Sequence, residues 1–374
     1  MSSLLFDLTY LQNESLMSGA FEYGKKIFDE LIKKKTDLTI LLLKNASIDT
    51  WILDYKPKII FIDAKKNSLK YFKEIDRISA SFDYFYIPFQ PIYYKFRTKA
   101  KLIFTVFDLI QLEQARVSKL NKEERLYITT FKRHIKYFIR IILRVLGVYY
   151  RFYYSNLKFN INKAEKIITI SKTSYSDIIS KFNCNPNKIE VLLPPFKKVL
   201  QSKSSFKYKN FFLFVSSNRY TKNTYRGLKA LDYIWSKDAS FPPAVVTGNP
   251  TSKILKRINN KNKIIKLPYI SDGDLNYLYE NANALIFPSL CEGFGLPPLE
   301  ALKCGTNVIC SDIPCFREIY SKVTFFDPYD INDIANKILN YTSYSRDELR
   351  LEYESLNSKS SNDLNQLVEY LSKL

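Results

Sequence analysis

The sequence predicts an α/β protein of two domains, each built on a doubly wound parallel sheet. The chain has 374 residues, which exceeds the usual size of a single domain. Short apolar runs alternate with amphipathic segments, which is typical of parallel strands joined by crossover helices. This alternating series occurs twice, with a polar stretch between its two copies, so each copy predicts one domain.

The apolar runs give the predicted strands, and the amphipathic segments give the helices. In the first series the strands are 4–8, 38–43, 58–62, 84–87, 102–107, 166–170 and 189–193, with helices at 21–34 and 173–182. In the second series the strands are 211–215, 244–247, 264–267, 284–287, 307–310 and 323–326, with helices at 224–235, 274–280 and 331–341 and a helical tail from 346 to 374.

The polar stretch after Pro194 and Pro195 is rich in Lys and Ser and has the composition of an interdomain linker. Loops after the carboxyl ends of parallel strands bind ligands in such sheets. We therefore expect two Rossmann-like sheets that face each other across a cleft. The predicted parts are a first domain over 1–197, a linker over 198–209, a second domain over 210–355 and a helix over 356–374 that returns to the first domain.

Composition narrows the class of protein. No run of about 18 consecutive apolar residues occurs and no basic region precedes the first apolar run, so we predict a cytoplasmic protein without a spanning helix or secretory signal. The five cysteines are odd in number and form no CxxC pair, which argues against a zinc or redox site. We expect reduced, mostly buried thiols at Cys184, Cys291, Cys304, Cys310 and Cys315.

The net charge of +20 favours anionic partners such as nucleic acid, acidic lipid surfaces or phosphorylated small molecules. Compositional drift towards Lys and Asn explains part of this charge equally well. Charge alone therefore does not choose a partner.

The most informative stretch is 287–319, FPSLCEGFGLPPLEALKCGTNVICSDIPCFREI. It contains three of the nine glycines, Gly293, Gly295 and Gly305, and we expect backbone conformations there that favour glycine. The first two predict a tight turn after a buried strand, and the two prolines that follow suit the first turn of a helix. Free N–H groups at such a helix start can hold a phosphate.

Two carboxylates flank this turn. Glu292 precedes it, and Glu300 lies one helical turn after it, so both can face one pocket and accept hydrogen bonds from sugar hydroxyls. In the alternative interpretation, Glu300 is only a favourable acid in a first helical turn and Glu292 an exposed loop acid.

These residues resemble the donor-site signature of glycosyltransferase family 4, retaining enzymes of GT-B fold. In that signature a Glu, seven residues and a second Glu flank a glycine-rich turn; here the match is Glu292, GFGLPPL and Glu300, continued by ALKCGTNVI. The stretches ITISKTSYSDIISKFNCNPNKIEVLLPPF, FVSSNRYTKN and YISDGDLNYLYENANALIFPSL also resemble the family, and the likeness is clear over about 166–341.

The resemblance implies that the first domain binds the acceptor and the second the nucleotide sugar, and it implies a role for each matching residue. Glu300 would bind the ribose hydroxyls of the nucleotide, and Glu292 would contact the transferred sugar. Lys222 and Arg219 would neutralise the leaving diphosphate, so that fixed cations stabilise the developing charge without a metal. Attack from the front face would retain the anomeric configuration without a protein nucleophile. The remaining implied donor contacts are Gly293, Phe294, Gly295, Leu296 and, in a reduced glycine-rich loop, Gly19.

The chain also departs from the family pattern. TVFDL places Phe107 where the family often has a histidine, which leaves Asp108 either near the sugar or as a simple helix cap. The only histidine, His134, lies in a basic helical stretch and is expected at the surface. Arg219 does not fall cleanly on the family's usual arginine position, and Lys222 is alternatively a solvated loop lysine.

A DxD-like triplet, Asp272-Gly273-Asp274, imitates the metal motif of the other large glycosyltransferase fold. It precedes a helix with apolar periodicity, so we expect Asp272 to be the N-cap of that helix and expect no catalytic metal.

The segment 131–154 is strongly basic and aromatic. Lys132, Lys136, Arg140 and Arg144 recur every four residues and form one stripe on a helix, and no acidic residue occurs between 126 and 164. This pattern suits a helix lying on an anionic membrane surface. A helix packed on its own sheet with a solvated basic edge explains it equally well.

The sequence therefore predicts a metal-independent hexosyltransferase without a cofactor. It would move a sugar from a nucleoside diphosphate donor to a saccharide or lipid-linked acceptor in polysaccharide assembly, with no nucleic-acid partner. Two alternatives stay open. One is a glycogen-synthase-like or sucrose-type transferase, and the other is a non-catalytic protein of the same fold that binds an anionic surface or nucleic acid.

Overall fold

The structure is a computed structural model of the chain. It describes residues 2–12, 19–34, 38–110, 112, 147–197, 204, 206–215 and 219–374. One compact unit comprises the described residues of 1–116, 147–197 and 357–374, and a second comprises those of 198–356. The predicted domain boundaries and the predicted cleft between the two domains stay predictions.

The first unit contains a parallel sheet of seven strands in the order β3-β2-β1-β4-β5-β6-β7. The centre of the sheet is buried and largely apolar: every residue of β1 and β2 is buried, and all but Asp7 and Thr39 are apolar. The strands are β1 Leu4–Asp7, β2 Thr39–Leu43, β3 Lys58–Ile62, β4 Tyr84–Ile87, β5 Lys101–Val106, β6 Lys166–Thr169 and β7 Ile189–Val191.

The helices of the first unit bury one apolar face each. The first helix buries Phe21, Phe28 and Leu31 among others, and the third is capped by Ser68, whose side chain accepts the N–H of Tyr71. Their bounds are α1 Gly19–Lys34, α2 Thr50–Leu53, α3 Leu69–Ser79, α4 Val148–Lys163 and α5 Lys172–Phe182.

The second unit contains a parallel sheet of six strands in the order β10-β9-β8-β11-β12-β13. The strands are β8 Phe212–Phe214, β9 Ala244–Thr247, β10 Ile264–Leu267, β11 Ala284–Phe287, β12 Asn307–Ser311 and β13 Thr324–Phe326. The helices are α6 Thr224–Lys237, α7 Ser252–Leu255, α8 Asp272–Asn281, α9 Leu296–Lys303, α10 Pro314–Ile319 and α11 Ile331–Leu339.

Strand order places a switch point in each sheet. In the first sheet, β2 and β3 follow on one side of β1, and β4 to β7 follow on its other side. In the second sheet, β9 and β10 follow on one side of β8, and β11 to β13 follow on its other side. Ligands of such sheets bind outside the carboxyl ends of the two strands at the switch point. The predicted α/β class with two parallel sheets is confirmed, and each of the thirteen strands lies within two residues of its predicted bounds.

The last helix, α12 Arg346–Ser372, contributes to both units. In the second unit, Glu352 accepts the N–H groups of Ser321 and Lys322 at 2.6 and 2.8 Å. In the first unit, Asp363 accepts the N–H of Leu193 at 2.8 Å, and Ser360 donates to the carbonyl oxygen of Pro194 at 2.6 Å. The predicted return of the terminal helix to the first domain is confirmed.

The cysteines are free thiols, as predicted. Cys184, Cys304, Cys310 and Cys315 are buried and Cys291 is partly buried. Burial raises the pKa of the Cys304 thiol to about 12, so this side chain acts as a small apolar core residue.

Within the described ranges, no helix is both long and apolar enough to span a bilayer. His134 and the greater part of the basic segment 131–154, namely 131–146, lie outside the described residues.

The predicted N-cap of helix α8 is wrong by one residue. Ser271 occupies that position and accepts the N–H of Asp274, whereas Asp272 is the first helical residue. The hydroxyl of Ser271 also donates to the carboxylate of Asp274 at 2.7 Å, so the serine and this acid satisfy each other at the start of the helix. Of the DxD-like triplet, Asp274 supports the cap, whereas Asp272 does not occupy the N-cap position.

Candidate functional site

Two loops meet at the switch point of the second sheet. The strands β8 and β11 are neighbours, with Leu213 opposite Leu285. The loop after β8 forms a short 3-10 turn, Tyr220–Lys222, and the N–H of Leu290, after β11, donates to the carbonyl oxygen of Thr221 at 2.8 Å. This backbone bond fixes the two loops against each other.

The two loops place Lys222 and Glu292 in direct contact. The Lys222 Nζ lies 2.7 Å from Glu292 Oε1, and the side chains are only 9% and 15% exposed. The same ammonium lies 4.7 Å from the ring centroid of Phe287, the last residue of β11. An ion pair so little exposed is costly to break, because removal of one partner leaves a poorly solvated charge.

The turn that follows Glu292 requires glycine at one position. Gly295 has φ +90°, and an added Cβ would lie 2.5 Å from Cε1 of Phe316. Its carbonyl oxygen accepts the phenol of Tyr320 at 2.5 Å. Burial raises the pKa of Tyr320 well above its usual range, so the phenol stays protonated and donates. Tyr320 thus holds the turn through a hydrogen bond, and the ring of Phe316 packs against the glycine.

The prediction of glycine-specific backbone is only partly correct. Gly305 also has a positive φ, +71°, and packs against Arg346 of helix α12. Gly293 does not have a positive φ, so the expectation that its backbone conformation favours glycine is wrong.

The helix after the turn carries Glu300. Helix α9 begins at Leu296, directly after Gly295, and its prolines lie in the first turn as predicted. Glu300 Oε2 accepts the phenol of Tyr279, a buried residue of helix α8, at 2.9 Å. Burial raises the pKa of Tyr279 well above its usual range, and the charge of Glu300 raises it further, so the phenol donates to the carboxylate.

Both acids act on the phenol of Tyr320. Burial raises the pKa of this phenol most, the neighbouring Cys315 and Cys310 come next, and the charges of Glu292 and Glu300 raise it further. One edge of the second sheet therefore brings together two carboxylates, one ammonium and the start of a helix. Of the other predicted contacts here, Leu296 is partly exposed, and the ring of Phe294 is 3% exposed and belongs to the core.

Arg219 does not join this group. It is exposed at the start of the 3-10 turn, and its guanidinium makes no ion pair with Glu292 or Glu300 among the described side chains. Its carbonyl oxygen instead accepts the N–H of Lys222 at 3.0 Å. The predicted role of Arg219 towards a diphosphate stays a prediction.

Three residues of this edge were not predicted. Tyr279 and Tyr320 have the pattern of ordinary core aromatics, so no local signal distinguishes them. Asn223 follows Lys222 with φ 52°, a conformation that asparagine tolerates, and its amide donates to the carbonyl oxygen of Pro328 at 2.8 Å. The Asn after Lys222 was a usable signal for the end of that turn.

The remaining predicted residues lie in the first unit. Asp108 follows β5, and its Oδ1 accepts the N–H of Ile110 at 3.0 Å, as a local cap does. Gly19 is the first residue of helix α1. Their predicted contacts with a ligand stay predictions. In the part of the chain that the structure describes, no group of three or more His, Cys, Asp or Glu side chains is arranged to hold a metal ion.

Comparison with known proteins finds similarity to glycosyltransferases. Residues 196–355 match the family model described as "Glycosyl transferases group 1". The chain is 31% identical over 201 residues to the O-antigen chain mannosyltransferase RfbU of Salmonella typhimurium, over 52% of this chain and 54% of that protein. It is 28% identical to the O-antigen chain mannosyltransferase B of Escherichia coli, over 50% of this chain and 54% of that protein. The chain thus spans about half the length of the curated relatives it matches.

The fold has solved counterparts. HepE of Anabaena, solved in complex with UDP-glucose, superposes over all of both chains with a TM-score of 0.66 and 14% identity. At this identity the likeness concerns the fold alone, the GT-B fold of two parallel-sheet α/β domains. The match over residues 196–355 makes this part of the chain similar to the glycosyl transferases group 1.

Proposed function

We propose that the chain is a retaining glycosyltransferase that moves a hexose from a nucleoside diphosphate sugar to a saccharide or lipid-linked saccharide in surface-polysaccharide assembly. The observation that carries the proposal is the contact between Lys222 and Glu292 at the switch point of the second sheet. A single cation and a single acid there match the two parts of a sugar diphosphate: its anionic leaving group and its hydroxylated ring.

The chemistry follows from these charges. Negative charge builds on the diphosphate as the bond between the sugar and phosphate breaks, and Lys222 is a preorganised cation that stabilises this charge. Its ammonium has three donors, so it can keep Glu292 while it contacts phosphate oxygens. Glu292 then holds a sugar hydroxyl, and Glu300, whose Oε2 accepts the Tyr279 phenol, would accept the ribose hydroxyls.

The relatives suggest the sugar. Two O-antigen chain mannosyltransferases match about half of this chain, which makes mannose the first sugar to test. The structural neighbour HepE was solved with UDP-glucose. The donor panel therefore needs both GDP-mannose and UDP-glucose.

Donor turnover tests the proposal. Purified protein is incubated with GDP-mannose, UDP-glucose, UDP-galactose and UDP-N-acetylglucosamine, and release of the nucleoside diphosphate is measured with and without mannose-containing oligosaccharides. We expect turnover of at least one donor, faster with acceptor present. Absence of turnover with every donor would contradict an enzymatic function and favour the non-catalytic alternative.

Two finer proposals need separate readouts. Retention predicts an α-linked product from an α-linked donor, which the anomeric coupling constant of the product reports by NMR; a β-linked product would contradict it. Metal independence, proposed because Lys222 supplies the fixed cation, predicts the same rate with excess EDTA as with Mg²⁺ or Mn²⁺. A rate that collapses in EDTA and recovers with metal would overturn it.

Peripheral contact with an anionic membrane surface, on the cytoplasmic side, is also proposed. Helix α4 has no acidic residue and exposes Val148, Phe152 and Phe159 by 46%, 47% and 38%. These lie four and seven residues apart, hence on one face, with the exposed cations Arg151 and Lys158 beside them. Apolar rings flanked by cations suit the interface of an acidic bilayer.

Vesicle flotation tests the membrane proposal. Arg151→Glu with Lys158→Glu should release the protein from vesicles that contain phosphatidylglycerol. The matched control is Lys256→Glu with Arg257→Glu, the same charge change at exposed positions of the second unit. Equal flotation of both double variants would remove the proposed contact at helix α4.

A further inference from the structure

Three aromatic rings line the carboxyl edge of the first sheet. Tyr10 follows β1, Phe89 follows β4 and Phe107 follows β5, and these strands are adjacent, with the switch point between β1 and β4. The ring centroids of Tyr10 and Phe89 are 5.3 Å apart, and those of Phe89 and Phe107 are 6.2 Å apart. All three side chains are partly exposed. We call Tyr10, Phe89 and Phe107 the aromatic strip.

One end of the strip is fixed by polar contacts of the backbone. The N–H of Phe107 donates to Gln90 Oε1 at 3.0 Å, and its carbonyl oxygen accepts the hydroxyl of Ser174 at 2.8 Å. Its ring forms a T-shaped contact with the buried ring of Tyr23, with centroids 5.0 Å apart. Tyr23 therefore holds the ring of Phe107, and Gln90 and Ser174 hold its backbone.

The other end is fixed through the loop that carries Tyr10. The N–H and hydroxyl of Thr9 donate to Asp7 Oδ1 at 2.9 and 2.6 Å, and the same hydroxyl shares a hydrogen bond with the phenol of Tyr71. Gln12 accepts the N–H of Leu43 in β2 at 2.5 Å. Rings that are already ordered lose little conformational entropy when a ligand binds.

Polar groups accompany the strip. The Lys66 Nζ lies 4.9 Å from the ring centroid of Tyr10, Gln90 Oε1 accepts the N–H of Phe107, and Asp108 follows Phe107 in the chain. A lipid chain would gain from a continuous apolar surface, which this strip does not offer. A pyranose has the matching pattern, because its C–H face is apolar and its rim carries hydroxyl groups.

We propose that the aromatic strip binds a pyranose ring of the saccharide acceptor. The axial C–H groups of the sugar would pack on the negative faces of the rings, and its hydroxyls would reach Lys66, Gln90 and Asp108. This inference rests on the proposed function, because it names the side of the first unit that recognises the acceptor. It also assigns a role to Phe107, which stands at the position where the resembling family often has a histidine.

Direct binding of simple glycosides tests the strip. Methyl α-D-mannopyranoside and an α-linked mannobiose are titrated against the whole protein by saturation-transfer NMR. The test variant Phe89→Leu with Phe107→Leu keeps apolar volume but removes both π faces. We expect roughly tenfold weaker binding, equivalent to about 1.4 kcal/mol. The variants Phe107→Tyr and Phe152→Leu, the latter on the exposed face of α4, should bind like wild type, and thermal melting checks that each variant folds.

Each outcome decides one proposal. Unchanged glycoside binding by the double Leu variant, or no binding by wild type, overturns the strip. Loss of vesicle flotation with unchanged glycoside binding would assign the rings to lipid and overturn it as well. Donor hydrolysis without acceptor reports the proposed function separately. If the double Leu variant keeps this hydrolysis and loses glycoside binding, both proposals stand, whereas a wild type that binds glycosides but hydrolyses no donor contradicts the proposed function alone.

Discussion

The two sheets carry different side chains at the same topological position. At the switch point of the second sheet, Lys222 and Glu292 form an ion pair with little exposure to solvent. At that of the first sheet, the rings of Tyr10 and Phe89 are partly exposed, and an acid, Asp7, is fully buried. The charged edge suits an anionic diphosphate and the aromatic edge suits the uncharged face of a sugar.

The difference also separates two ways to keep a carboxylate inside a protein. Glu292 is neutralised by an ammonium at 2.7 Å. Asp7 relies on the two hydrogen bonds of Thr9, and burial raises its pKa to about 6. Among the described residues its Oδ2 has no hydrogen-bond partner. The first edge therefore contains a buried, poorly solvated acid, whereas the acid of the second edge is in contact with a cation.

The largest expected effect comes from the cation of the charged edge. Lys222→Met should lower kcat for donor turnover by about 10³-fold, because it removes the fixed charge that faces the developing oxyanion. The substitution also leaves Glu292 without its cation, so the double variant Lys222→Met with Glu292→Gln, measured by urea unfolding, separates lost chemistry from lost stability. Lys256→Met is the matched control at an exposed lysine. Turnover within threefold of wild type in the single variant would contradict the assignment of the diphosphate to this edge.

The buried acid of the aromatic edge gives a pH signature. Its folded pKa, about 6, lies above the value of 3.8 for an unperturbed aspartate. The folded state thus binds the proton more tightly, so the stability from Asp7 is complete below about pH 4 and is lost as the pH rises to about 6. The loss is on the order of 3 kcal/mol.

Asp7→Asn should remove this pH dependence. The difference in unfolding free energy between wild type and variant should change by about that amount between pH 4 and pH 7, measured by urea unfolding. Asp347→Asn, at an exposed position of α12, controls for the loss of any carboxylate. A difference that is constant across this range would show that Asp7 is not held in an apolar setting.

The next effect concerns the second acid of the charged edge. Glu300→Gln keeps an acceptor for the Tyr279 phenol but loses the negative charge that strengthens hydrogen bonds to ribose hydroxyls. We expect the KM for donor to rise roughly thirtyfold, equivalent to about 2 kcal/mol, with little change in melting temperature. Tyr279→Phe, which keeps the carboxylate and removes its anchor, should raise KM less. Equal donor kinetics in wild type and Glu300→Gln would contradict the proposed contact of Glu300 with the ribose hydroxyls.

The smallest effect is expected from Arg219. Its side chain is exposed and unpaired with either acid, so its interaction with a diphosphate is screened by water. Arg219→Met should change kcat/KM by no more than about fivefold, equivalent to about 1 kcal/mol. A loss as large as that of Lys222→Met would mean that Arg219 approaches the donor on binding, as its position in the sequence first suggested.

The sequence predicts the strands well because parallel strands are continuous apolar runs, a local property. Another local pattern, glycine followed by two prolines, predicts the turn at Gly295 and the helix start, whereas the roles of the two acids come from the family resemblance and stay predictions. Local patterns fail where tertiary contacts decide. The contact of Tyr279 with Glu300 joins two helices, and the burial of Asp7 depends on the loop after β1 and on helix α3. Asp272 was predicted as a cap because an acid is a common cap, but Ser271, one residue earlier, takes that position.

The most direct test of the two-edge account is one calorimetric titration series. GDP, UDP and methyl α-D-mannopyranoside are each titrated into wild type, Lys222→Met with Glu292→Gln, and Phe89→Leu with Phe107→Leu. We expect the Lys222 double variant to lose nucleotide affinity and keep glycoside affinity, and the Phe89 double variant to do the reverse. The account would be contradicted if either variant lost affinity for nucleotides and glycoside equally. It would also be contradicted if the Lys222 double variant lost glycoside affinity and the Phe89 double variant lost nucleotide affinity.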